Sequence, residues 1–359
     1  MGILRATLAL LAVVAVSGPV QPGWAADGLV DVVVSLKKAD LRPGMGEVNR
    51  ARAAGVAARH GVAPAFTYGI VLAGFAGSVP PARLEMLKND PDVESVSIDE
   101  PMYAIGKPAS QGGSANAGQV VPWGVERIGA TASLGSKGAG VDVYILDTGI
   151  DADHPDIQGN LGNGAYVYKC TGRSCKAPWD DNHGHGTHVA GTVAAIDNGR
   201  DVVGVAPLAT LHAVKVLSGS GSGTISGIIA GIDWVAGEAQ AKGTAVVANM
   251  SLGGSGSRTG TCSSGGYAGT DNFHRAICNA KNKGVVFAVA AGNSGVDAEL
   301  ATPAAYDDAV ITVSATTSTD DWPYWSNWGN NAGVGNNSAP VAIAAPGVSV
   351  LSTKKGGGT

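Results

Sequence analysis

The sequence is poor in charge. Asp, Glu, Lys and Arg make up only 15% of its 359 residues, with a net balance of −5. A composition with 45% apolar residues and so little charge excludes a disordered chain and is enough to bury a large core. The negative balance gives no footing for nucleic-acid binding. Long apolar runs are missing beyond the N-terminus, so nothing after the first residues reads as a membrane span. Cysteine is sparse, at 4 residues, and no CxxC pair occurs. Glycine is abundant, at 54 residues, but without the collagen period. It points instead to tight turns and close backbone approaches.

The N-terminus carries an address. Arg5 precedes the apolar run Ala6 to Val16, and small residues Ala25 and Ala26 follow the turn formers. That order describes a secretory signal over residues 1–26, with a membrane anchor or a buried helix as the alternatives. An exported chain meets an oxidising compartment, which suits disulfides. Four cysteines allow three pairings. Proximity favours Cys170 with Cys175 and Cys262 with Cys278, and a metal site is the alternative.

Two patterned regions follow. Residues Leu29 to Leu36, Phe66 to Ala76 and Val93 to Ile98 read as strands. Glu47 to His60 and a segment from Pro80 and Pro81 to Lys88 read as helices. The order β-α-β-β-α-β is that of a ferredoxin-like α+β unit over residues 28–104. Residues 105–118 form a Gly/Ser/Ala linker with no periodicity, suited to proteolysis. Beyond it, strand-like runs (Val141 to Leu146, Leu211 to Leu217, Ala245 to Met250, Val285 to Ala290, Val310 to Val313) alternate with helical ones (Val189 to Ile196, Ser226 to Lys242, Asn272 to Lys283). Such alternation predicts an α/β domain with a parallel sheet over residues 119–359. Functional groups then gather beyond the carboxyl ends of the strands.

Three residues stand at such places. Asp147 ends the run Val141 to Leu146, as a buried carboxylate needing a partner or as a turn former. His185 lies in Asp181-Asn182-His183-Gly184-His185-Gly186-Thr187-His188, where a loop becomes a helix. Asn293 follows Val285 to Ala290, as a donor to a developing oxyanion or as an ordinary turn residue. His183, His185 and His188 also match the first three ligands of a metal-hydrolase pattern, although Thr187 stands where that pattern carries Asp.

Taken together, Asp147-Thr148-Gly149-Ile150, His185-Gly186-Thr187-His188-Val189-Ala190-Gly191-Thr192, Ser251-Leu252-Gly253-Gly254 and Ala291-Gly292-Asn293 resemble the signatures of the subtilisin-like serine peptidases, in family order. The resemblance runs from Gln119 to the end. Residues Val30 to Ala104 resemble the family's inhibitory propeptide. It implies a three-layer catalytic domain with a parallel sheet. His185 would be the general base, Asp147 its orienter and Asn293 the oxyanion donor. Gly221-Ser222-Gly223 and Ser251-Leu252-Gly253 would form the two walls of a cleft that holds an extended polypeptide as an added strand. A structural Ca²⁺ would be held by the side chains of Gln119, Asp156 and Asn198 and the carbonyls of Ile196, Arg200 and Val202. The propeptide would act as intramolecular chaperone and inhibitor, its tail from Pro101-Met102-Tyr103-Ala104 onward lying in the cleft, with self-cleavage between Ala109 and Gly118. A secreted monomer, extracellular or periplasmic and free of membrane once its signal is removed, is the expected product. His183 is expected to be exposed and His188 a buried structural residue.

One departure stands out. The family's nucleophile sits in a Gly-Thr-Ser-Met-Ala segment, and residues 1–359 contain none. Ser349 and Ser352 fall upstream of that place in the pattern. The sequence therefore reads as a piece of a longer peptidase, inactive as it stands. The alternatives are a non-catalytic peptide binder and, further off, a zinc hydrolase using the three histidines.

Overall fold

The computed structural model describes residues 28–106, 118–130, 136–329 and 340–359. The signal segment and most of the linker, including residues 109–117 where self-cleavage is expected, lie outside them. The first unit comprises β1 (Val30–Leu36), α1 (Gly46–Arg59), β2 (Phe66–Tyr68), β3 (Gly74–Val79), α2 (Pro81–Lys88) and β4 (Val93–Ile98). Its sheet is antiparallel in the order β2-β3-β1-β4. This is the ferredoxin-like order expected from the sequence. Strand alternation gives the sheet two apolar faces. Val32, Val34 and Phe75 pack on Ala53, Val56 and Leu87 of its own helices. Val33 and Ala76 face the other way, into the core of the second unit.

After β4 the chain continues as β5 (Pro101–Ala104). The second unit then builds α3 (Trp123–Arg127), β6 (Asp142–Asp147), β7 (Ala165–Tyr166), α4 (His185–Ala194), β8 (Thr210–Lys215), β9 (Ser222–Thr224), α5 (Ile225–Lys242), β10 (Val246–Met250) and β11 (Leu252–Ser255). A hairpin of β12 (Thr261–Ser263) and β13 (Gly266–Ala268) precedes α6 (Asn272–Lys281), β14 (Val285–Ala290), β15 (Ala301–Thr302), β16 (Ile311–Thr316) and β17 (Val341–Pro346). Seven strands form one parallel sheet, in the order β17-β16-β14-β10-β6-β8-β7.

The sheet is the middle of three layers. In β6, Tyr144 and Leu146 join the core beneath α5 and α6. Val143 and Ile145 alternate to the opposite face, against Ala190 and Ala194 of α4. A strand covered on both faces must be apolar throughout, which is why the sequence shows runs rather than alternation there. The first unit lies on α5 and α6 and fixes itself through polar side chains. Asn272 Nδ2 donates to the carbonyl of Val33 (2.8 Å), and Asp99 accepts from Ser226 N (2.8 Å) at the start of α5. Both local cysteine pairs are disulfides, Cys170–Cys175 and Cys262–Cys278, although Cys278 lies on α6 rather than in a loop.

Candidate active site

The carboxyl edge of the sheet brings the three marked residues to one place. Asp147 is the last residue of β6 and is fully buried. His185 opens α4, directly after Gly184, whose φ of +113° suits glycine. Gly186 lets the helix start press on the strand end: a side chain there would meet the carbonyl oxygen of Gly149 at 2.1 Å. The result is a short contact, His185 Nδ1 to Asp147 Oδ1 at 2.8 Å and Oδ2 at 2.9 Å.

A web of side chains holds these two segments. Thr148 N donates to Asp147 Oδ1 (2.6 Å), and Thr148 Oγ1 donates to Asp181 Oδ1 (3.0 Å). Asp181 also accepts from the backbone of His183, Gly184 and Thr187. A carboxylate accepting several N–H groups at a helix entrance both caps it and fixes its path. Lys215, buried at the end of β8, reaches the Thr148 carbonyl and Asn182 Oδ1. Sequence reasoning passed over Lys215. Its signal was a lysine inside an apolar strand run.

The cleft already holds chain. β5 runs antiparallel between β9 and β11, pairing Tyr103 with Ser222 on one side and Gly253 on the other. Gly221-Ser222-Gly223 and Ser251-Leu252-Gly253, expected as cleft walls, thus lie on the two sides of β5. Ala104 N donates to Gly221 O and Ile105 N to Ser251 O, each at 2.9 Å. The walls thus carry the strand to the histidine, where His185 Nε2 lies 3.0 Å from the Ile105 carbonyl. Asn293, just past β14, lies beside Gly292 and Gly106; with its amide oxygen and nitrogen exchanged, the nitrogen would donate to Gly292 O (3.1 Å) and the oxygen would accept from Gly106 N (3.3 Å). In that orientation its oxygen faces the bound backbone. A cavity of 590 Å³ opens beside Ile105 and Gly106, lined by Asn249, Ser251, Asn293, Ser314 and Pro346 among others.

The electrostatics follow from these contacts. Burial works against a charged His185 ring, but the Asp147 carboxylate, by charge and hydrogen bond, and the Ile105 carbonyl outweigh it. The ring is left with a pKa above the ordinary histidine value. His188 goes the other way, lowered by burial and by the nearby His185. His183 is half-buried rather than exposed; its Nδ1 accepts from His185 N (3.3 Å) and its ring lies against Gly221. Among the described residues no group of three His, Cys, Asp or Glu side chains is placed to hold a metal. Ser352 is turned away, donating to the His188 carbonyl (2.7 Å).

The expected calcium ligands also meet. Gln119 Nε2 donates to the carbonyls of Ile196 (2.9 Å) and Val202 (3.3 Å), and Asn198 Nδ2 to Asp156 Oδ1 (2.9 Å). Asp156 is fully buried, its pKa raised mainly by that burial, and Val202 N is its other donor. Here the two amides present their nitrogens; turned to present their oxygens beside the carboxylate and the two carbonyls, they complete a donor set that fits a hard cation. Arg200 differs: it enters the cluster through its N–H, which donates to Asn198 Oδ1 (3.0 Å).

A buried Asp–His pair at the carboxyl edge of a parallel sheet, with an extended strand threaded past it, defines a peptidase domain of the serine class. The sequence profile of the subtilase family matches residues 138–359, and the chain belongs to that family. It is 38% identical over 301 residues to the alkaline serine protease ver112 of Corniculantispora psalliotae, covering 81% of this chain and 67% of that protein. It is 42% identical over 240 residues to subtilisin DY of Bacillus licheniformis, covering 66% of this chain and 75% of that one. The crystal structure of a cold adapted subtilisin-like serine proteinase superposes with a TM-score of 0.51 at 35% identity, over 64% of this chain and 74% of that one. The chain spans about two thirds of the length of the relatives from Corniculantispora psalliotae and Metarhizium anisopliae, and about half that of the Aspergillus fumigatus alkaline protease 2.

Proposed function

We propose that the chain is the precursor of a secreted serine endopeptidase, with residues 28–104 as an inhibitory propeptide. The observation that carries this is the path of β5, held as the central strand of the cleft with the Ile105 carbonyl at His185. A substrate would bind the same way. Asp147 would orient the ring and stabilise the imidazolium, and His185 would take the nucleophile's proton. Asn293, with its amide turned, would donate to the oxyanion. The peptide bond presented to the site is Ile105–Gly106, upstream of the expected position between Ala109 and Gly118. Self-cleavage is assigned to it.

The nucleophile must come from a Gly-Thr-Ser-Met-Ala segment, which residues 1–359 lack; the cavity beside Ile105 offers room for it. These residues alone would bind polypeptide without hydrolysing it. Ca²⁺ bound by Gln119, Asp156, Asn198 and the carbonyls of Ile196 and Val202 would supply rigidity, not chemistry. Arg200 turned to present its carbonyl would complete the set. The decisive experiment compares residues 1–359 with a form that carries the serine segment. The longer form is expected to label with a fluorophosphonate and cleave peptides, and residues 1–359 to do neither. Chelator-sensitive hydrolysis by residues 1–359 that resists the phosphonate would replace this reading with the zinc hydrolase.

A further inference from the structure

Among the described residues, the buried cation Lys215 has no ionic partner in contact. Its side chain is 1% exposed, and lysine is almost never so buried unless paired. Both groups it bonds are neutral oxygens, the Thr148 carbonyl and Asn182 Oδ1. They are not arbitrary ones. Thr148 follows Asp147, and Asn182 precedes His185 by one short loop. In the sheet, Lys215 stands opposite Asp147 in register. An uncompensated buried ammonium is costly. What offsets that cost here is the attraction of three carboxylates, Asp181, Asp147 and Asp180 in that order.

We propose that Lys215 is a positioning residue for the Asp147–His185 pair: it ties the two segments together, and its charge restrains the proton affinity of the imidazole. Asp147 pulls a proton onto His185, and Asp181 adds to that pull. A fixed positive charge among the same carboxylates opposes it. The groups involved are Asp147 at the end of β6 and Asp180 and Asp181 on the segment leading to α4, where His183 and His185 follow. Burial lowers the Lys215 pKa to about 8. A neutral amine still offers two N–H donors to its two acceptors. The charge can therefore leave at alkaline pH while both ties persist.

The inference rests on the proposed role of His185 as base, but its test reads protonation and not turnover. Failure of one is thus separable from failure of the other. The full chain is labelled at histidine and titrated by NMR as wild type, Lys215→Met and Lys215→Arg. Lys215→Met is expected to raise the His185 pKa by about one unit, a tenfold change in proton affinity. Lys215→Arg, which keeps the charge, is expected to stay near wild type. An unchanged His185 pKa in a folded Lys215→Met protein overturns the proposal. If Lys215→Met does not fold, the wild type decides: coupling is reciprocal. The Lys215 side-chain resonances must then show an inflection at the pKa of His185, and its absence overturns the proposal equally.

Discussion

His185 Nε2 lies 3.0 Å from the carbonyl oxygen of Ile105, while Nδ1 of the same ring lies 2.8 Å from Asp147 Oδ1. Both ring nitrogens face acceptors, and only the imidazolium can donate to both. The grip of the cleft on the strand end is therefore tied to the ring's proton. His185 has a raised pKa in the folded chain, so this stabilisation is fully present below the unfolded value near 6.5 and is lost as pH rises through the folded value. A charge-assisted hydrogen bond of this kind contributes about 1.5 kcal/mol, or roughly tenfold in a local opening constant. Hydrogen exchange at Ile105 and Gly106, corrected for intrinsic rates, is expected to quicken by that factor across the transition. A flat profile would detach the contact from the ring's charge.

Asp147→Asn keeps the shape of the side chain and removes its charge. The amide can present its nitrogen to Nδ1 and favour the wrong tautomer. The His185 pKa is expected to fall, since the Asp147 charge does most to raise it. In a form carrying the serine, kcat is expected to drop about 10⁴-fold, the size of effect seen when a triad aspartate becomes asparagine. Retention of kcat within tenfold would remove Asp147 from the mechanism.

Much of this was legible in the sequence because it is written in local patterns. The ferredoxin-like unit needs only period-two strands and two helices, and Val93–Ile98 falls where the β formers do. Asp147, His185 and Asn293 were visible because each ends a strand run or opens a helix. β5 came from the family resemblance and not from local pattern: Pro101–Ala104, expected in the cleft as the propeptide's tail, has no strand character of its own and pairs only because two glycine-rich walls receive it. β17 escaped for a related reason, as a half-exposed edge strand held by β16 alone. Asp233 was hidden too. An aspartate amid the apolar residues of α5 makes sense only once the other unit covers it.

That aspartate gives the third prediction. Asp233 accepts from the backbone N–H of Ile70 (2.7 Å) and Val71 (2.8 Å), and Arg50 Nη2 donates to it at 2.9 Å. Its side chain is 6% exposed. Asp233→Ala leaves the Ile70 and Val71 N–H groups without their acceptor and Arg50 with Glu47 as its remaining carboxylate. Leaving such donors unsatisfied costs about 1–3 kcal/mol each. Limited proteolysis of residues 28–106 is expected to accelerate strongly, while protection of the second unit holds. Equal protection of both units in the variant would count against this anchor.

Calcium supplies the fourth. At free Ca²⁺ 100-fold above its Kd, binding to the native site adds about 2.7 kcal/mol to stability. Calorimetry of the full chain is expected to show Tm rising with Ca²⁺ and falling on chelation. Asp156→Ala, which removes the buried carboxylate of the cluster, is expected to abolish the shift. An undiminished shift in that variant would place the ion elsewhere.

In the proposed precursor, the register of β5 would set the site of processing. Backbone pairing fixes which residue reaches the base, because a slip by one would turn every side chain to the opposite face. Met102, buried in the core of the second unit, resists such a slip, and Tyr103 beside it is exposed. The carbonyl delivered to His185 is therefore that of Ile105. In a form carrying the serine, the mature N-terminus is expected to begin at Gly106 in the first cut, with any further trimming later. Moving Met102 one place along, by the paired changes Met102→Tyr and Tyr103→Met, is expected to slow that cut or shift it by one residue. N-terminal sequencing of the first product after refolding reads the outcome. A first cut at any bond between Ala109 and Gly118 would mean that β5 leaves this register before the chemistry.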